Sequence, residues 1–159
     1  MPYGRTGNVL EVDLSRGLIE KQQDDAKLVE SYLGGKGINA KILWDRVPPE
    51  VDAFSPYNLL IIGAGLLTGT IVPGVSRASI TYKSPVMDTH TYSGLGGFLG
   101  TELKHAGYDR ITISGKSPAP VYLWINDDRV ELRDASHLWG KDTYEAQNLI
   151  RKELKTDKV

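Results

Sequence analysis

The chain has 159 residues, enough for one compact domain or two small ones. Lys and Arg total 19 against 20 Asp and Glu, so no net basic field exists to hold a nucleic-acid backbone. A hydrophobic content of 40% excludes a disordered polypeptide, and the absence of cysteine excludes a disulfide scaffold, a cysteine nucleophile and thiolate ligation of a metal or cluster by these residues.

In chain order, residues 8–14 alternate, with Leu10, Val12 and Leu14 on one face and Glu11 and Asp13 on the other, which predicts a strand. Ser15, Arg16 and Gly17 form a turn, and residues 18–21 pair back as a hairpin. Asp24 or Asp25 caps a helix carrying the stripe Leu28, Val29, Tyr32 and Leu33. Gly34, Gly35 and Gly37 interrupt it, and a second helix over 38–46 ends before Pro48 and Pro49. Residues 58–62 are continuously apolar after Asn58 and predict a strand buried on both faces. Residues 78–83 and 110–114 read as strands, and 121–126 with 129–133 as a hairpin turning on Asp127 and Asp128. A helix over 98–106 stops at Gly107, and Asp142 with Glu145 has capping-box spacing before a helix running to about Leu154. The total is about seven strands and four helices, a mixed α+β domain with mixed or antiparallel sheets.

Two loops concentrate the glycines. The first, residues 63–77, holds Gly63, Gly65, Gly69 and Gly74 and closes on Arg77. It is neither a dinucleotide fingerprint nor a phosphate-binding P-loop, because Thr68 stands where the third fingerprint glycine belongs and no Gly-Lys-Ser/Thr ends it. Its spacing is equally that of a surface loop or of a backbone cradle for an anion. In the cradle reading, Thr68, Thr70, Ser76 and main-chain N–H groups donate and Arg77 supplies charge. The second loop holds Gly94, Gly96, Gly97 and Gly100 and leads into a helix. It allows close backbone approach to a phosphate at the helix N-terminus, or simply a turn with close packing. Gly34 to Gly37 around Lys36 read as a helix break alone. His90, His105 and His137 have no metal-ligand rhythm, and Trp44, Trp124 and Trp139 are expected at element edges. The first residues lack the apolar run of a signal peptide, and no stretch approaches the roughly 18 apolar residues of a membrane span, so a soluble cytoplasmic protein is expected. Residue chemistry alone therefore yields an α+β domain with two loops suited to an anionic ligand and no catalytic side-chain cluster.

The ordered segments resemble the N-terminal domain of the tungsten-containing aldehyde:ferredoxin oxidoreductase family. They run from Gly7-Asn-Val-Leu-Glu-Val-Asp-Leu-Ser-Arg-Gly17 through Tyr32-Leu-Gly-Gly-Lys-Gly37, Phe54-Ser-Pro-Tyr-Asn58 and Gly65-Leu-Leu-Thr-Gly-Thr70. Lys83-Ser-Pro85, Gly96-Gly-Phe98, Glu102-Leu-Lys-His-Ala-Gly-Tyr-Asp109 and Asp134-Ala-Ser-His-Leu-Trp-Gly-Lys141 complete the series. Trp44-Asp-Arg-Val-Pro-Pro-Glu50 is similar to branches that include tungsten benzoyl-CoA reductases.

The resemblance implies a base of β-sheets for a tungsten bis-pterin cofactor whose phosphates are bridged by magnesium. It places Arg77 between a pterin and a nearby [4Fe–4S] cluster, a main-chain magnesium contact at Gly94, and a pterin contact at Gly96. Family members often carry asparagine where this chain has Gly94, a departure that a carbonyl ligand tolerates. No catalytic residue is assigned. Cluster cysteines and the groups around the metal belong to later helical domains. Residues 1–159 are thus expected to be the tungstopterin-base domain, truncated at its C-terminal end, of an enzyme that oxidises aldehydes to acids. Its expected partners are the rest of the same subunit and ferredoxin or an iron–sulfur subunit, without nucleic acid or membrane, and homo-oligomerisation is left open. The alternatives are a related tungsten enzyme that reduces an aromatic acyl-CoA, and a stand-alone binding or assembly module.

Overall fold

A computed structural model describes residues 4–157, so the parts of the terminal readings that rest on residues 1–3 and 158–159 lie outside the described residues. Eight strands and four helices are present among the described residues: β1 (Asn8–Asp13), β2 (Leu18–Gln23), α1 (Ala26–Tyr32), α2 (Lys36–Arg46), β3 (Leu60–Ala64), β4 (Ala78–Lys83), β5 (His90–Leu95), α3 (Leu99–His105), β6 (Arg110–Ser114), β7 (Val121–Asn126), β8 (Arg129–Asp134) and α4 (Thr143–Leu154). The first six strands in chain order form one sheet in the order β2-β1-β6-β3-β4-β5, and β7 pairs with β8 in a second. Only the β1–β6 pair is parallel, so the α+β expectation holds.

Alternation along the strands divides the sheet into two apolar faces. Ile61 joins Ile38, Ile42, Leu43, Val47 and Leu59 beneath α2, with Leu28 and Val29 of α1 packed at the margin. On the other face, Leu10, Val12 and Ile111 meet Leu103 of α3 and the inward residues of β7 and β8. The fully buried Tyr108 donates its hydroxyl to Asp127 O at 3.0 Å and so fastens the β7–β8 turn onto the main sheet. Hydrophobic cover on both faces leaves the outer strands β2 and β5 as the edges.

Several predicted elements are corrected. The strand at β5 was not expected, because its polar, glycine-containing sequence shows no alternation and gains order from pairing with β4. β3 lies two residues later than predicted, and Leu60 on it is 39% exposed, so the strand is not buried on both faces throughout. Asp25 caps α1 by accepting from Lys27 N at 2.9 Å, whereas Asp24 forms a buried two-pronged pair with Arg110. Trp44 and Trp139 are mostly exposed, while Trp124 is overlaid by the Arg133 guanidinium at 3.8 Å from its ring centre.

One buried ion pair joins the N-terminal segment, α3 and β6. Lys104 and Asp109 meet at 2.6 Å with side chains only 7% and 9% exposed. Lys104 also donates to Gly4 O, and Asp109 accepts from Gly7 N at 2.7 Å and Thr6 N at 3.1 Å. Burial pushes the Asp109 carboxyl up, but the Lys104 ammonium and the Gly7 and Thr6 N–H groups outweigh it and hold the group below the ordinary aspartate range. Removing one member of such a pair leaves an uncompensated buried charge. Asp109→Asn is therefore expected to cost about 3–5 kcal/mol in urea unfolding at neutral pH. Because the folded value is depressed, the carboxylate's stabilisation is present above its unfolded value of about 4 and is lost as pH falls through the folded value. Unfolding curves of the variant are expected to lack that acid-dependent component.

Candidate functional site: a glycine edge flanked by two free cations

The first glycine loop leaves the end of β3 and returns at the start of β4. Arg77 closes it through its carbonyl, which accepts from Gly65 N at 3.2 Å and from the Thr68 hydroxyl at 2.9 Å. Thr68 is buried, and the Thr70 hydroxyl donates to Leu67 O at 2.7 Å. Both hydroxyls are thus bound within the loop, which corrects the expectation that they donate to a ligand. Gly65 is required by close approach: a Cβ there would lie 2.9 Å from Thr68 Oγ1 and 3.2 Å from Arg77 O. Gly100 lets α3 approach the same loop, since its Cβ would come within 3.2 Å of Thr68 Cγ2 and 3.1 Å of Ala78 Cβ.

The second glycine group is not the simple helix entry that its spacing suggests. Gly94 lies in β5, opposite Ser79. The strand register fixes which way its main chain points. Gly65 N donates to Arg77 O, so the hydrogen-bonded rungs between β3 and β4 continue through Gly63–Ser79. Ser84 N donates to Thr89 O, so the bonded rungs between β4 and β5 fall at Ile80–Ser93 and Ala78–Leu95. Both alternations agree that the N–H and C=O of Gly94 face away from β4, toward the open edge of the sheet. Gly96 follows just beyond the strand and is exposed, with nothing within 4 Å of where a Cβ would stand. The helix behind them, α3, has only seven residues and no side-chain cap at Phe98.

Arg77 reaches this edge. Its Nη1 lies 3.5 Å from the position of a Gly94 Cβ, on the sheet face covered by α2. Tyr92, two residues before Gly94, presents its ring on the same face, and Lys36 Nζ sits 3.4 Å from the ring centre. Lys36 is the first residue of α2, whose N-cap is Gly35 with no side-chain cap. Among the described residues neither Lys36 nor the Arg77 guanidinium has a carboxylate partner. The structure thus brings the three predicted residues, Arg77, Gly94 and Gly96, to one sheet edge and adds Lys36, which sequence reasoning had assigned to a helix break. The missed signal was the cation within a glycine run at a helix start. No group of three or more acidic or histidine side chains suited to a metal occurs among the described residues, so a cation here would meet main-chain oxygen and ligand oxygen. The arrangement can hold an anionic, multi-oxygen ligand: two unpaired positive charges, an outward carbonyl and N–H, and glycines that leave the approach clear.

Comparison with known proteins identifies the family. Residues 9–159 match the family model described as aldehyde ferredoxin oxidoreductase, N-terminal domain. The chain is 44% identical over 157 residues to the tungsten-containing aldehyde ferredoxin oxidoreductase of Pyrococcus furiosus, covering 99% of this chain and 26% of that protein. It is 41% identical to the corresponding protein of Thermococcus kodakarensis over the same shares. Among solved structures, the active-site complex of a benzoyl coenzyme A reductase with bound dienoyl-CoA superposes with a TM-score of 0.97 at 55% identity, covering 99% of this chain and 24% of that one. The chain thus spans about a quarter of the length of these relatives. No helix among the described residues is long and apolar enough to cross a membrane.

The two kinds of glycine separate experimentally. Gly65→Val is expected to destabilise the fold by about 1–3 kcal/mol, because backbone and a bound hydroxyl must give way. Gly96→Val is expected to shift unfolding by no more than about 0.5 kcal/mol, because its side chain enters open space. Thermal and urea unfolding of the two variants check this contrast. By fold, loop order and family match, the chain belongs to the aldehyde ferredoxin oxidoreductase family as an N-terminal domain.

Proposed function

We propose that residues 1–159 are the cofactor-base domain of a tungsten bis-pterin oxidoreductase that oxidises aldehydes to carboxylic acids. The observation that carries this reading is the pairing of an outward Gly94 main chain with an unpaired Arg77 at one sheet edge. The fit to a phosphate-bearing cofactor rests on charge and clearance. Arg77 and Lys36 would offset anionic oxygens, the Gly94 carbonyl would offer a ligand to magnesium, and Gly96 would leave space for pterin. The bound cofactor would supply the oxygen-transfer and two-electron chemistry.

The chain's own residues bind and orient. Arg77 is held at its carbonyl by Gly65 and Thr68, so its side chain projects from a fixed point. Lys36 is steadied over Tyr92 and meets the ligand from the helix side. In the reaction the aldehyde takes up the oxygen of water and gives up two electrons and two protons. A [4Fe–4S] cluster, held by residues other than these cysteine-free 159, would supply the one-electron steps to ferredoxin or an iron–sulfur subunit. A cytoplasmic location suits that partner.

A second reading, reduction of an aromatic acyl-CoA, is favoured by one observation. Identity to the benzoyl coenzyme A reductase chain is 55%, against 44% to the Pyrococcus furiosus aldehyde enzyme. Assay of the full-length enzyme separates the two: aldehyde-dependent reduction of a viologen dye supports the first reading, and acyl-CoA-dependent oxidation of reduced dye supports the second. For the site itself, Arg77→Ala in the full-length enzyme is expected to lower both tungsten and pterin content well below one equivalent. Gly96→Val is expected to lose cofactor while its cofactor-free form keeps the unfolding midpoint of the cofactor-free parent. Unchanged metal and pterin in both variants would falsify the placement of the cofactor at this edge.

A further inference from the structure

A small cavity of mixed polar and apolar lining lies on the α2 face of the sheet, between the start of α2, the end of β3 and the start of β6. It measures about 10 Å³, and Gly35, Asn39, Gly63 and Arg110 are among its lining residues. Two side-chain atoms of this lining are buried without a protein hydrogen-bond partner: Asn39 Oδ1 and Arg110 Nε. Asn39 is 0% exposed and Arg110 5%. Buried polar atoms left unpaired lose their hydration without recompense, so native proteins rarely keep them so.

The direction of both atoms is fixed. Asn39 Nδ2 donates to Ile61 O at 3.2 Å and Ser79 O at 3.0 Å, with Thr81 Oγ1 at 3.4 Å. Turning the amide over would set Oδ1 against two carbonyls, so the orientation follows from the acceptors. Arg110 spends its two terminal nitrogens on Asp24, at 3.2 and 2.8 Å, which leaves Nε–H on the flank of the guanidinium. Both side chains line the same cavity and meet the sheet at one rung. Gly63 pairs with Arg110 across β3 and β6, so both point their side-chain directions to the same face. The Asn39 amide lies directly over Gly63, where a Cβ would come within 3.0 Å of its Cγ and Nδ2, and nearer still to Oδ1. Ser79 Oγ and Thr112 Oγ1 also lack partners on this face, but neither residue lines the cavity.

We propose that one water molecule is bound in this cavity, accepting from Arg110 Nε–H and donating to Asn39 Oδ1. The chemistry selects water. The site asks for one acceptor and one donor in a single small species; a halide cannot donate, and an ammonium or metal cation cannot accept. Of the charges in the lining, Arg110 is matched with Asp24 and Lys104 with Asp109, while Arg5 is turned to Val29 O at 3.5 Å, so the bromide soak decides between water and an anion. The volume is close to the roughly 10–15 Å³ that one water needs by this measure. Bound there, the water joins α2 to β6 beneath Gly34 and Gly35 and beside Ala64 and Leu66, where the first glycine loop begins.

High-resolution diffraction from crystals of the protein tests this, with a second crystal soaked in bromide. The expected result is one isolated density peak about 2.7–3.2 Å from both Arg110 Nε and Asn39 Oδ1, with no anomalous bromide signal at that position. Absence of a peak, with Asn39 and Arg110 drawn into a direct hydrogen bond, overturns the proposal. A bromide signal at the position overturns it too, by making the site an anion site.

Discussion

The Lys104–Asp109 ion pair is the constraint on which the placement of the glycine loops depends. It closes a junction of segments about a hundred residues apart in the chain, linking the stretch before β1, the end of α3 and the start of β6. Asp109 adds its main chain to the same junction, donating to Asn8 O and accepting from Ala64 N, the last residue of β3. The first glycine loop therefore departs from a point fixed by a buried charge. A buried pair of this kind adds little net stability over an apolar one, and its value is in specifying a single geometry.

From that junction the sheet carries order outward to its far edge. β3 holds β4 by hydrogen bonds, β4 holds β5, and the register turns the Gly94 main chain away from the sheet. Arg77 is the hinge between loop and strand: its carbonyl belongs to the loop, while its side chain belongs to the edge. The proposed site thus owes its shape to backbone pairing more than to side-chain packing. Such a site can be assembled without an acidic cluster, and its charge comes from cations left free by their neighbours.

Much of the fold was legible in local pattern. Leu10 and Val12 alternate with Glu11 and Asp13, Asp142 accepts from Glu145 N as its spacing implied, and Gly107 follows the end of α3. Arg77, Gly94 and Gly96 were legible through the family resemblance and stand at one edge. What escaped were features set by distant partners. β5 is polar and glycine-containing and becomes a strand only against β4. The choice between Asp24 and Asp25 depended on Arg110, 86 residues away. Thr68 and Thr70 looked like ligand donors because sequence does not show that the loop's own carbonyls take their hydroxyls. Lys36 looked structural because nothing local places a tyrosine ring under it.

The exposed edge of β5 has a consequence for the chain in solution. A strand with outward N–H and C=O groups is a template for pairing with a second strand, which is how folded proteins come to stack edge to edge. Here the same border carries Lys36 and Arg77, and two such borders brought together would oppose four positive charges. That repulsion is long-ranged in dilute buffer and fades as salt shortens the screening distance to about 3 Å near 1 M. The charges proposed to receive an anion at this edge would also oppose the pairing of two copies of it, so a bound polyanion or concentrated salt would alter self-association and ligand affinity together.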